Sequence, residues 1–474
     1  MKLLTKKYTG ILLILILIGL VQGCKKDEVP PLVKPERGET NEDLLKDSVY
    51  IYTYYFYLWQ DQLPERFATR NYRSADEVLE ALTEFSKHPG SSTKLDRYSF
   101  LDRSGTVNEE IQEGRTGSFG FDVRYNNDSD LYIKLVYPGS PAAAAGIVRG
   151  WQILEINGNS KLDNATLEAD DYRWLYSAID GSSIQLKLRK PDNNVIDVTL
   201  QRRSFNIDPV FHSSVYEQNG KKVGYFVFDT FVSTEDDAGR PTSTLNRLNQ
   251  VFSDFETAAV QEVVVDLRYN GGGAVITAEY LSNMLAPPGA DDKRMYSYGV
   301  NETLATDEGW KDFFAPVNFD KRNGLNLQRV YFLVTEGTAS ASELLINNLK
   351  PYLDVKLIGE YNTYGKPVGF FPWDIMKNDL YAVSFKTINA SGESDYFEGM
   401  PVDKLIGEDV SRNWGDVNDP LLKEALQYAA TGNFSANNLT LRQSLRPQGQ
   451  GERLNSKLDQ RGNKDMFRFR NHKK

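Results

Sequence analysis

Apolar and polar positions follow three successive patterns along the chain, and each pattern predicts a different kind of structure. Residues 41–112 have helical spacing: Ser74–Glu77 is a capping box, and Val78, Leu82 and Phe85 fall on one face of the helix that it opens. A dense aromatic set near the start of this segment indicates burial against neighbouring helices, with a ligand surface as the alternative. The segment is predicted to form a small helical domain.

Residues 113–204 instead show short alternating runs that are separated by turn residues. Leu131–Val136 is predicted to be a strand, Ser140-Pro141 supplies an N-cap and a first-turn proline for a short alanine helix, and Asp170–Ile179 is predicted to be a second helix. Apolar residues then alternate on two strands across the turn Pro191–Asn194. The region is predicted to be a β domain with two short helices.

Residues 205–434 carry longer apolar runs that alternate with helical stretches, which is typical of an α/β domain. Val223–Phe231, Val260–Leu267 and Val330–Thr335 are predicted to be buried strands. Residues 435–474 are rich in Ser, Asn, Gln, Arg and Gly and are predicted to be a disordered basic tail. The fold class predicted for the whole chain is multidomain α+β.

Composition excludes several classes of protein. Of the 474 residues, 40% are hydrophobic and 25% are charged, so a sizeable core is available. A single cysteine and three widely spaced histidines exclude a disulfide scaffold and argue against a metal centre, and no metal or cofactor is expected. The net charge of −10 argues against nucleic-acid binding, although the last 35 residues hold ten Lys and Arg against three Asp and Glu. That tail is predicted to be solvated, with anionic phospholipid or lipopolysaccharide as the alternative contact.

The amino terminus has the pattern of an export signal. Three lysines precede an apolar run from Ile11 to Val21, which is well short of the roughly 20 residues that span a bilayer as a helix. Leu20–Cys24 resembles the lipobox of bacterial lipoproteins, which implies a signal peptide of residues 1–23 and a lipid on Cys24. An ordinary secretory signal that happens to contain this cysteine is the alternative. Residues 24–40 are predicted to be a flexible tether, and the expected location is the bacterial cell envelope, on the outer membrane, at its periplasmic or surface face.

Candidate chemistry begins after the strand Val330–Thr335. A run of small residues there ends in Ser340-Ala341-Ser342-Glu343, and the apolar residues that follow begin a helix that Pro351 ends. Ser340 is predicted to lie at a sharp turn, with the backbone N–H of Ala341 near the positive end of the helix dipole. The segment therefore offers a nucleophile and one donor of an oxyanion hole.

A second loop, Arg268–Gly273, places three glycines directly after a buried strand. Glycines allow the backbone to approach a substrate closely, and ligands bind at the carboxyl ends of parallel strands. The loop lacks the spacing and the following Lys-Ser/Thr of a P-loop, so it does not predict a phosphate site. It is a candidate for the other half of the oxyanion hole.

A base for Ser340 must be sought outside histidine. Lysine can take this part when burial lowers its pKa, because the neutral amine then accepts a proton from serine. Lys366 lies among Tyr364, Pro367, Val368 and Phe370, which are apolar neighbours of the kind that such a shift requires. Taken alone, a lysine of this kind is more often an ordinary surface lysine.

Taken together, these blocks resemble the S41 family of serine proteases, the carboxyl-terminal processing or tail-specific proteases. The matching motifs are Asp96–Ser99, Asp266–Gly273, Thr338–Glu343 and Tyr364–Lys366. The resemblance implies an α/β S41 protease core, in which Ser340 is the nucleophile and Lys366 is its base. It also implies that the backbone amides of Ala341 and Gly272 form the oxyanion hole.

Residues 113–204 resemble a PDZ domain of the bacterial protease type. The matching segments are Tyr137–Ala142 and Gly150–Gly158. PDZ domains add an extended peptide to a sheet edge and hold its terminal carboxylate in a nest of backbone N–H groups. The resemblance implies such a nest in the loop that holds Gly117, Phe119, Gly120 and Phe121. The two phenylalanines are predicted either to line the peptide's side-chain pocket or to close the domain core.

Two features depart from the family pattern. The family often has Gly-Lys-Gly followed by a glutamine that orients the lysine, whereas Pro367 follows Lys366 and Phe370 stands at the glutamine position. Candidates to orient the lysine instead are Thr363, Asn362 and Glu343, the last of which is predicted to cap its own helix. Tail-specific members also often have an aspartate partway along the nucleophile helix, where this chain has Pro351.

The predicted function is that of a lipid-anchored serine endopeptidase with a Ser–Lys dyad. It is expected to act on proteins or peptides that are selected by carboxyl-terminal or exposed hydrophobic segments. The alternative is a non-catalytic ligand- or peptide-binding lipoprotein, since the same fold also serves in retinoid-binding modules. Retention of both Ser340 and Lys366 favours the enzyme, because a binder has no need for a buried amine beside a serine.

Overall fold

The computed structural model of the chain describes residues 39–88, 90–436 and 455. The predicted signal peptide, Cys24 and most of the basic tail lie outside the described residues. In the amino-terminal part, side-chain oxygens of Thr40 and Ser74 cap two helices. Ser74 accepts the backbone N–H of Glu77 as predicted, but the Glu77 carboxylate accepts the N–H of Arg73, so the predicted capping box is only half formed. The elements here are α1 (Asn41–Phe56), α2 (Ala75–Thr83) and β1 (Phe100–Asp102), with short 3₁₀ turns at Gln60–Gln62 and Thr69–Asn71.

The next part of the chain is a β domain, as predicted. After a π-helical turn at Asn108–Gln112, its strands are β2 (Arg115–Ser118), β3 (Phe121–Tyr125), β4 (Leu131–Val136), β5 (Gln152–Ile156), β6 (Ser183–Arg189), β7 (Val195–Gln201) and β8 (Arg203–Asn206). Its helices are α3 (Pro141–Ala144), α4 (Asn164–Glu168) and α5 (Arg173–Ile179). Strands β3 to β7 form one antiparallel sheet in that order, so β3 is an edge, while β2 pairs only with β8.

Two details of this domain differ from the predicted pattern. Helix α4, which Asp163 caps, was not predicted, so the described region has three short helices instead of two. Helix α5 begins at Arg173 and not at the predicted Asp170, because Asp171 and Tyr172 take left-handed backbone conformations, with φ of 61° and 56°. A helix cannot continue through such residues.

The remaining elements build the largest part of the molecule. Its strands are β9 (Val210–Gln218), β10 (Lys221–Phe228), β11 (Glu262–Asp266), β12 (Arg294–Gly299), β13 (Val317–Asn318), β14 (Arg329–Val334), β15 (Asp354–Gly359), β16 (Val368–Phe370), β17 (Trp373–Ile375), β18 (Asn378–Tyr381), β19 (Val383–Asn389) and β20 (Lys404–Leu405). Its helices are α6 (Ser243–Thr257), α7 (Val275–Leu285), α8 (Glu302–Thr306), α9 (Ala341–Leu349) and α10 (Pro420–Thr431), with a 3₁₀ turn at Pro288–Ala290.

A six-stranded sheet in the order β20-β15-β14-β11-β10-β9 forms the centre of this part. Within this sheet, β10, β11, β14, β15 and β20 run parallel to one another, whereas β9 runs antiparallel to β10. Every residue of β11 is buried, as expected for a parallel strand that is covered on both faces. Apolar side chains of α6, α7 and α9 cover one face, and those of α10 cover the other. The multidomain α+β prediction is confirmed.

The amino-terminal helices pack directly on this core. The ring of Phe56 stacks on Trp373 with centroids 3.9 Å apart, and one hydrophobic cluster runs from α1 into the central sheet. Within the segment that was predicted to be helical, β1 instead pairs with β18 of the core. The predicted boundary at residue 112 stays a prediction.

Across the described ranges, no helix combines the length and apolar character that a membrane crossing requires.

Candidate active site

The parallel strands β11 and β14 place the two predicted chemical loops at one edge of the sheet. The strands are neighbours, with Asp266 paired to Leu333, so their carboxyl ends lie side by side. The loop after β11 holds the three glycines, and the loop after β14 leads to Ser340 at the start of α9. Because ligands of parallel sheets bind at such edges, the topology brings the nucleophile and the glycine loop to a shared site.

Ser340 lies on a strained turn. Its backbone has φ 62° and ψ −112°, in a region that costs about 1–3 kcal/mol for a residue with a Cβ. The side chain is fully buried, and its Oγ has no hydrogen-bond partner among the described residues. The backbone N–H of Ala339 holds the turn by donating to Asn270 O at 3.0 Å. The turn therefore lowers the stability of the fold while it sets the position of the Ser340 hydroxyl.

Asn270 fixes the glycine loop, although the sequence analysis did not single it out. Its Nδ2 donates to Phe228 O at 2.8 Å, and its backbone O accepts from Ser342 Oγ at 3.0 Å. Its Oδ1 accepts from the backbone N–H of Gly272 at 2.9 Å. The sequence does contain a signal for this role. Asn270 lies directly before the glycines, and an asparagine side chain can accept a hydrogen bond from the backbone N–H two residues further along the chain.

The two predicted oxyanion donors differ in their bonding. Ala341 is the first residue of α9, where a backbone N–H has no partner within its own helix. The N–H of Gly272 is instead engaged by Asn270 Oδ1 and must share or exchange that bond to meet an oxyanion. Gly272 has φ 108°, which residues with a side chain rarely adopt. The oxyanion roles of both residues stay predictions.

Glu343 ties the Ser340 turn to the Lys366 loop. Its Oε2 accepts the backbone N–H of Ser340 at 2.9 Å and that of Lys366 at 2.8 Å. Its Oε1 accepts Thr363 Oγ1 at 2.5 Å and the N–H of Gly365 at 2.8 Å. Capping of its own helix and orientation of Lys366 were the two alternatives predicted for Glu343. The structure shows the cap together with a direct hydrogen bond from the backbone N–H of Lys366. One carboxylate therefore sets the position of both proposed catalytic residues.

Burial makes Glu343 an unusual carboxyl group. It has no exposed surface, and this burial raises its pKa above the ordinary value. The bonds from Thr363, Lys366, Ser340 and Gly365 oppose the rise, because each favours the ionised form. Four donors converge on two oxygens, so the site is built for an acceptor at this position.

Lys366 has the environment that a lysine base needs. The side chain is 1% exposed, with Nζ 4.2 Å from the ring centroid of Phe370 and 5.2 Å from that of Tyr98. Burial lowers its pKa well below the usual range, and the charges of Asp96 and Glu343 oppose this shift only in part. The ring faces favour the ammonium form by about 0.5–2 kcal/mol, which is less than the several kcal/mol that desolvation costs a buried ion. Burial therefore shifts the balance toward the neutral amine.

The segment Asp96–Ser99 holds the lysine loop from the amino-terminal side. Tyr98 OH donates to Gly365 O at 2.6 Å, and the Arg97 guanidinium donates to Tyr364 O at 3.0 Å. Asp96 keeps the segment in place by accepting Tyr57 OH at 2.6 Å and the N–H groups of Tyr98 and Ser99. The amino-terminal region thus contributes directly to the surroundings of Lys366.

Both described histidines lie outside the loops that hold Ser340 and Lys366. His212 is on β9, three strands from β14, with Nε2 3.2 Å from Ser214 Oγ, and burial lowers its pKa. His88 lies in the loop after α2. Over the described part of the chain, no group of His, Cys, Asp and Glu side chains is arranged to hold a metal ion.

Comparison with known protein families covers the same two regions. The profile of Peptidase family S41 matches residues 222–400, which contain Ser340, Lys366 and the glycine loop, and the PDZ domain profile matches residues 109–171. Residues 222–400 are therefore similar to the peptidases of family S41. The PDZ domain precedes the part that matches the peptidase.

Curated proteins that are similar to this chain include carboxyl-terminal processing proteases. That of Picosynechococcus sp. is 27% identical over 306 residues, which cover 64% of this chain and 66% of the relative. CtpA of Bacillus subtilis is 26% identical over 240 residues, which cover 50% of this chain and 45% of the relative. The chain thus spans about half to two thirds of these relatives. The crystal structure of an S41 protein from Bacteroides fragilis matches with a TM-score of 0.62 and 25% identity, covering 85% of this chain and 100% of that one.

Phe370 stands where the S41 pattern often has a glutamine that orients the lysine. The structure places its ring centroid 4.2 Å from Lys366 Nζ. The ring of Tyr98 lies 5.2 Å from the same amine, from another segment of the chain. Two aromatic rings therefore form part of the surroundings of this amine.

The predicted carboxylate loop of the PDZ domain is tightly built. Phe119 has no exposed surface and Phe121 has 6%, and both belong to the domain core. Gly120 has φ 78°, and a Cβ there would lie 2.0 Å from Ser140 Cβ. Gly117, by contrast, has open space around its Cβ direction. Phe121 also lines a cavity of about 220 Å³. That this cavity receives a peptide side chain stays a prediction.

A buried ion network joins the PDZ domain to the peptidase core, and the sequence analysis missed it. Glu408 is 2% exposed and pairs with Arg124 at 3.0 Å, Arg149 at 2.5 Å and Arg268 at 3.3 Å. Burial alone would raise the pKa of Glu408, but the three guanidiniums lower it to about 2. Tyr269 OH, beside the glycine loop, donates to the same carboxylate. Arg124 and Arg149 of the PDZ domain and Arg268 of the core thus all pair with the carboxylate of Glu408.

Proposed function

We propose that this protein is a serine endopeptidase in which Ser340 is the nucleophile and Lys366 is the general base. The observation that carries the proposal is the single carboxylate of Glu343. It accepts the backbone N–H groups of Ser340 and Lys366 through one oxygen, so the two backbone nitrogens are no further apart than these two bonds laid end to end. A strained serine and a buried lysine are thereby held in one place.

The proposed reaction begins with proton transfer from Ser340 Oγ to the neutral Lys366 amine as Oγ attacks a peptide carbonyl carbon. The tetrahedral oxyanion is met by the N–H of Ala341, at the positive end of α9, and by the glycine loop. The lysine then gives its proton to the leaving amine, which leaves an acyl-enzyme. Water deacylates it with the same lysine as base.

The PDZ domain supports substrates with a free carboxyl-terminal or exposed apolar segment. Its edge strand β3 begins at Phe121, directly after Phe119 and Gly120, so a peptide that pairs with β3 brings its end to these residues. The relatives of the chain are named for carboxyl-terminal processing. We extend that substrate class to this chain.

A non-catalytic binding protein is the second candidate function. It fails to explain why the fold buries a lysine with 1% exposure and holds a serine at φ 62°. Each feature lowers stability, and a binder gains nothing from them. The enzyme is therefore the function that the geometry supports best.

An alkyl fluorophosphonate probe tests this proposal directly. Purified protein is expected to be labelled at Ser340, since the probe needs a serine that a neighbouring base activates. Ser340→Ala should remove the label, and Ser243→Ala, which changes an exposed serine at the start of α6, should keep it. Absence of labelling in folded protein that also cleaves no peptide would favour the binding function.

We further propose that a lipid on Cys24 anchors the protein to the bacterial outer membrane. The support lies in the sequence alone, where the apolar run ends at the only cysteine. Cys24→Ala is expected to abolish metabolic labelling by palmitate and to move the protein from the detergent phase to the aqueous phase. A variant that is still labelled and still partitions into detergent would contradict the anchor.

A further inference from the structure

Asn455, within the basic tail, makes a contact that the prediction of an unpartnered tail missed. Its Oδ1 accepts the backbone N–H of Tyr125 at 2.7 Å, and its Nδ2 donates to the carbonyl of Tyr125 at 3.0 Å. The side chain is 3% exposed. A carboxamide thus bonds both backbone groups of one residue, as a neighbouring strand would.

Tyr125 presents these groups at the open edge of the PDZ sheet. It is the last residue of β3, which is the first strand in the order of that sheet. On the β4 side, the hydrogen bond of the ladder runs from Asn126 N–H to Asp130 O at 3.0 Å, while Tyr125 faces Leu131. In an antiparallel pair the hydrogen-bonded positions alternate, so the N–H and C=O of Tyr125 point away from β4. Asn455 fills the positions where an added strand would pair.

We propose that Asn455 occupies the edge of β3 at Tyr125 in the same molecule, and that the tail which carries it thereby competes with peptides for the PDZ domain. The inference rests on the proposed function in one respect, namely that β3 is the edge to which substrate peptides add. A peptide on β3 needs the same N–H and C=O of Tyr125, so the tail and a peptide exclude each other at this residue.

Chain length allows the contact within one molecule. The structure follows the chain to residue 436, where Ser435 is bonded to Glu424 and Lys404 on α10 and β20. The 19 residues from there to Asn455 span up to about 60 Å when extended. A tethered competitor acts at an effective concentration in the millimolar range, so weak pairing is enough to hold the edge.

Peptide binding measures the competition. The full-length Ser340→Ala protein, which cannot turn over the probe, is titrated against a fluorescein-labelled decapeptide with an apolar carboxyl-terminal residue. Asn455→Ala and a chain that ends at residue 436 are each expected to lower Kd about tenfold, because two hydrogen bonds of the competitor are lost. Asn463→Ala, in the same tail, is the matched control and should leave Kd unchanged. An unchanged Kd in Asn455→Ala would overturn the competition.

Hydrogen exchange at the Tyr125 amide separates this proposal from the proposed function. The amide is expected to be protected in the parent protein and in Asn463→Ala, and to exchange faster in Asn455→Ala. A synthetic peptide of residues 449–461 should restore protection to the shortened chain. Faster exchange without any decapeptide binding would support the tail contact and contradict substrate delivery by β3. Equal protection in Asn455→Ala, or protection that rises with protein concentration, would overturn occupation by the chain's own tail.

Discussion

Replacing Ser340 by alanine, or Lys366 by alanine, is expected to lower kcat by about 10⁴-fold or more, and the double variant should be no worse than either. The physical reason is that a nucleophile and its base act in one step, so removing the second group costs nothing further. Steady-state hydrolysis of a fluorogenic peptide measures the loss. Circular dichroism spectra should show that each variant keeps its fold.

The pH dependence gives this first prediction its sign. Burial lowers the pKa of Lys366, and only the neutral amine acts as base. The rate should therefore rise with pH through an acidic limb that belongs to this lysine. Lys366→Arg should be inactive across that range, because guanidinium keeps its proton. Turnover by Lys366→Arg, or an inactive but folded His212→Ala protein, would refute the dyad.

Glu343→Gln is expected to lower kcat by about 100-fold with little change in KM. An amide offers one acceptor oxygen where Glu343 offers two, so its NH₂ group must face N–H or O–H donors that the carboxylate now binds. The Ser340 turn and the Lys366 loop should then lose their mutual alignment. KM is spared because Glu343 lies behind the reacting groups and touches no substrate in the proposed mechanism.

Glu302→Gln is the matched control for this second prediction. Glu302 also lies in the first turn of a helix, α8, but it is exposed to solvent. It should leave kcat and the melting temperature unchanged, whereas Glu343→Gln should lower both. A folded Glu343→Gln protein with unchanged kcat would show that the carboxylate does not align the two loops.

Local sequence pattern predicted the elements that carry the site, because strand and helix periodicity depend on near neighbours. The strand before Ser340, the glycine loop and the apolar setting of Lys366 all followed from stretches of about ten residues. The link through Glu343 did not follow, since it joins residues 20 to 23 positions apart. Its helix-capping bond is local and was the favoured prediction, whereas orientation of the lysine by Glu343 was the alternative, and sequence proximity alone did not show that both occur together.

The amino-terminal region shows the same limit. Its helical pattern indicated which side chains are buried but not which residues cover them. The aromatic set near its start, which includes Phe56, was therefore predicted to pack within a small helical domain. The structure places Phe56 against Trp373, more than 300 residues away. The contact between Asn455 and Tyr125 spans 330 positions, and no pattern within the tail points to it. Contacts of this kind depend on topology, which a hydrophobic period does not contain.

The anion shared at Glu408 has a consequence for how such proteins exchange modules. Arg124 and Arg149 belong to the PDZ domain, while Glu408 and Arg268 belong to the core, and all four are almost fully buried. Replacing either arginine of the PDZ domain leaves the buried Glu408 carboxylate with fewer positive partners, and replacing both leaves it one of the three guanidiniums. A buried charge that loses its partners lowers stability. A PDZ domain recombined from another protein without these arginines is therefore expected to destabilise the chain unless the charge at position 408 changes at the same time.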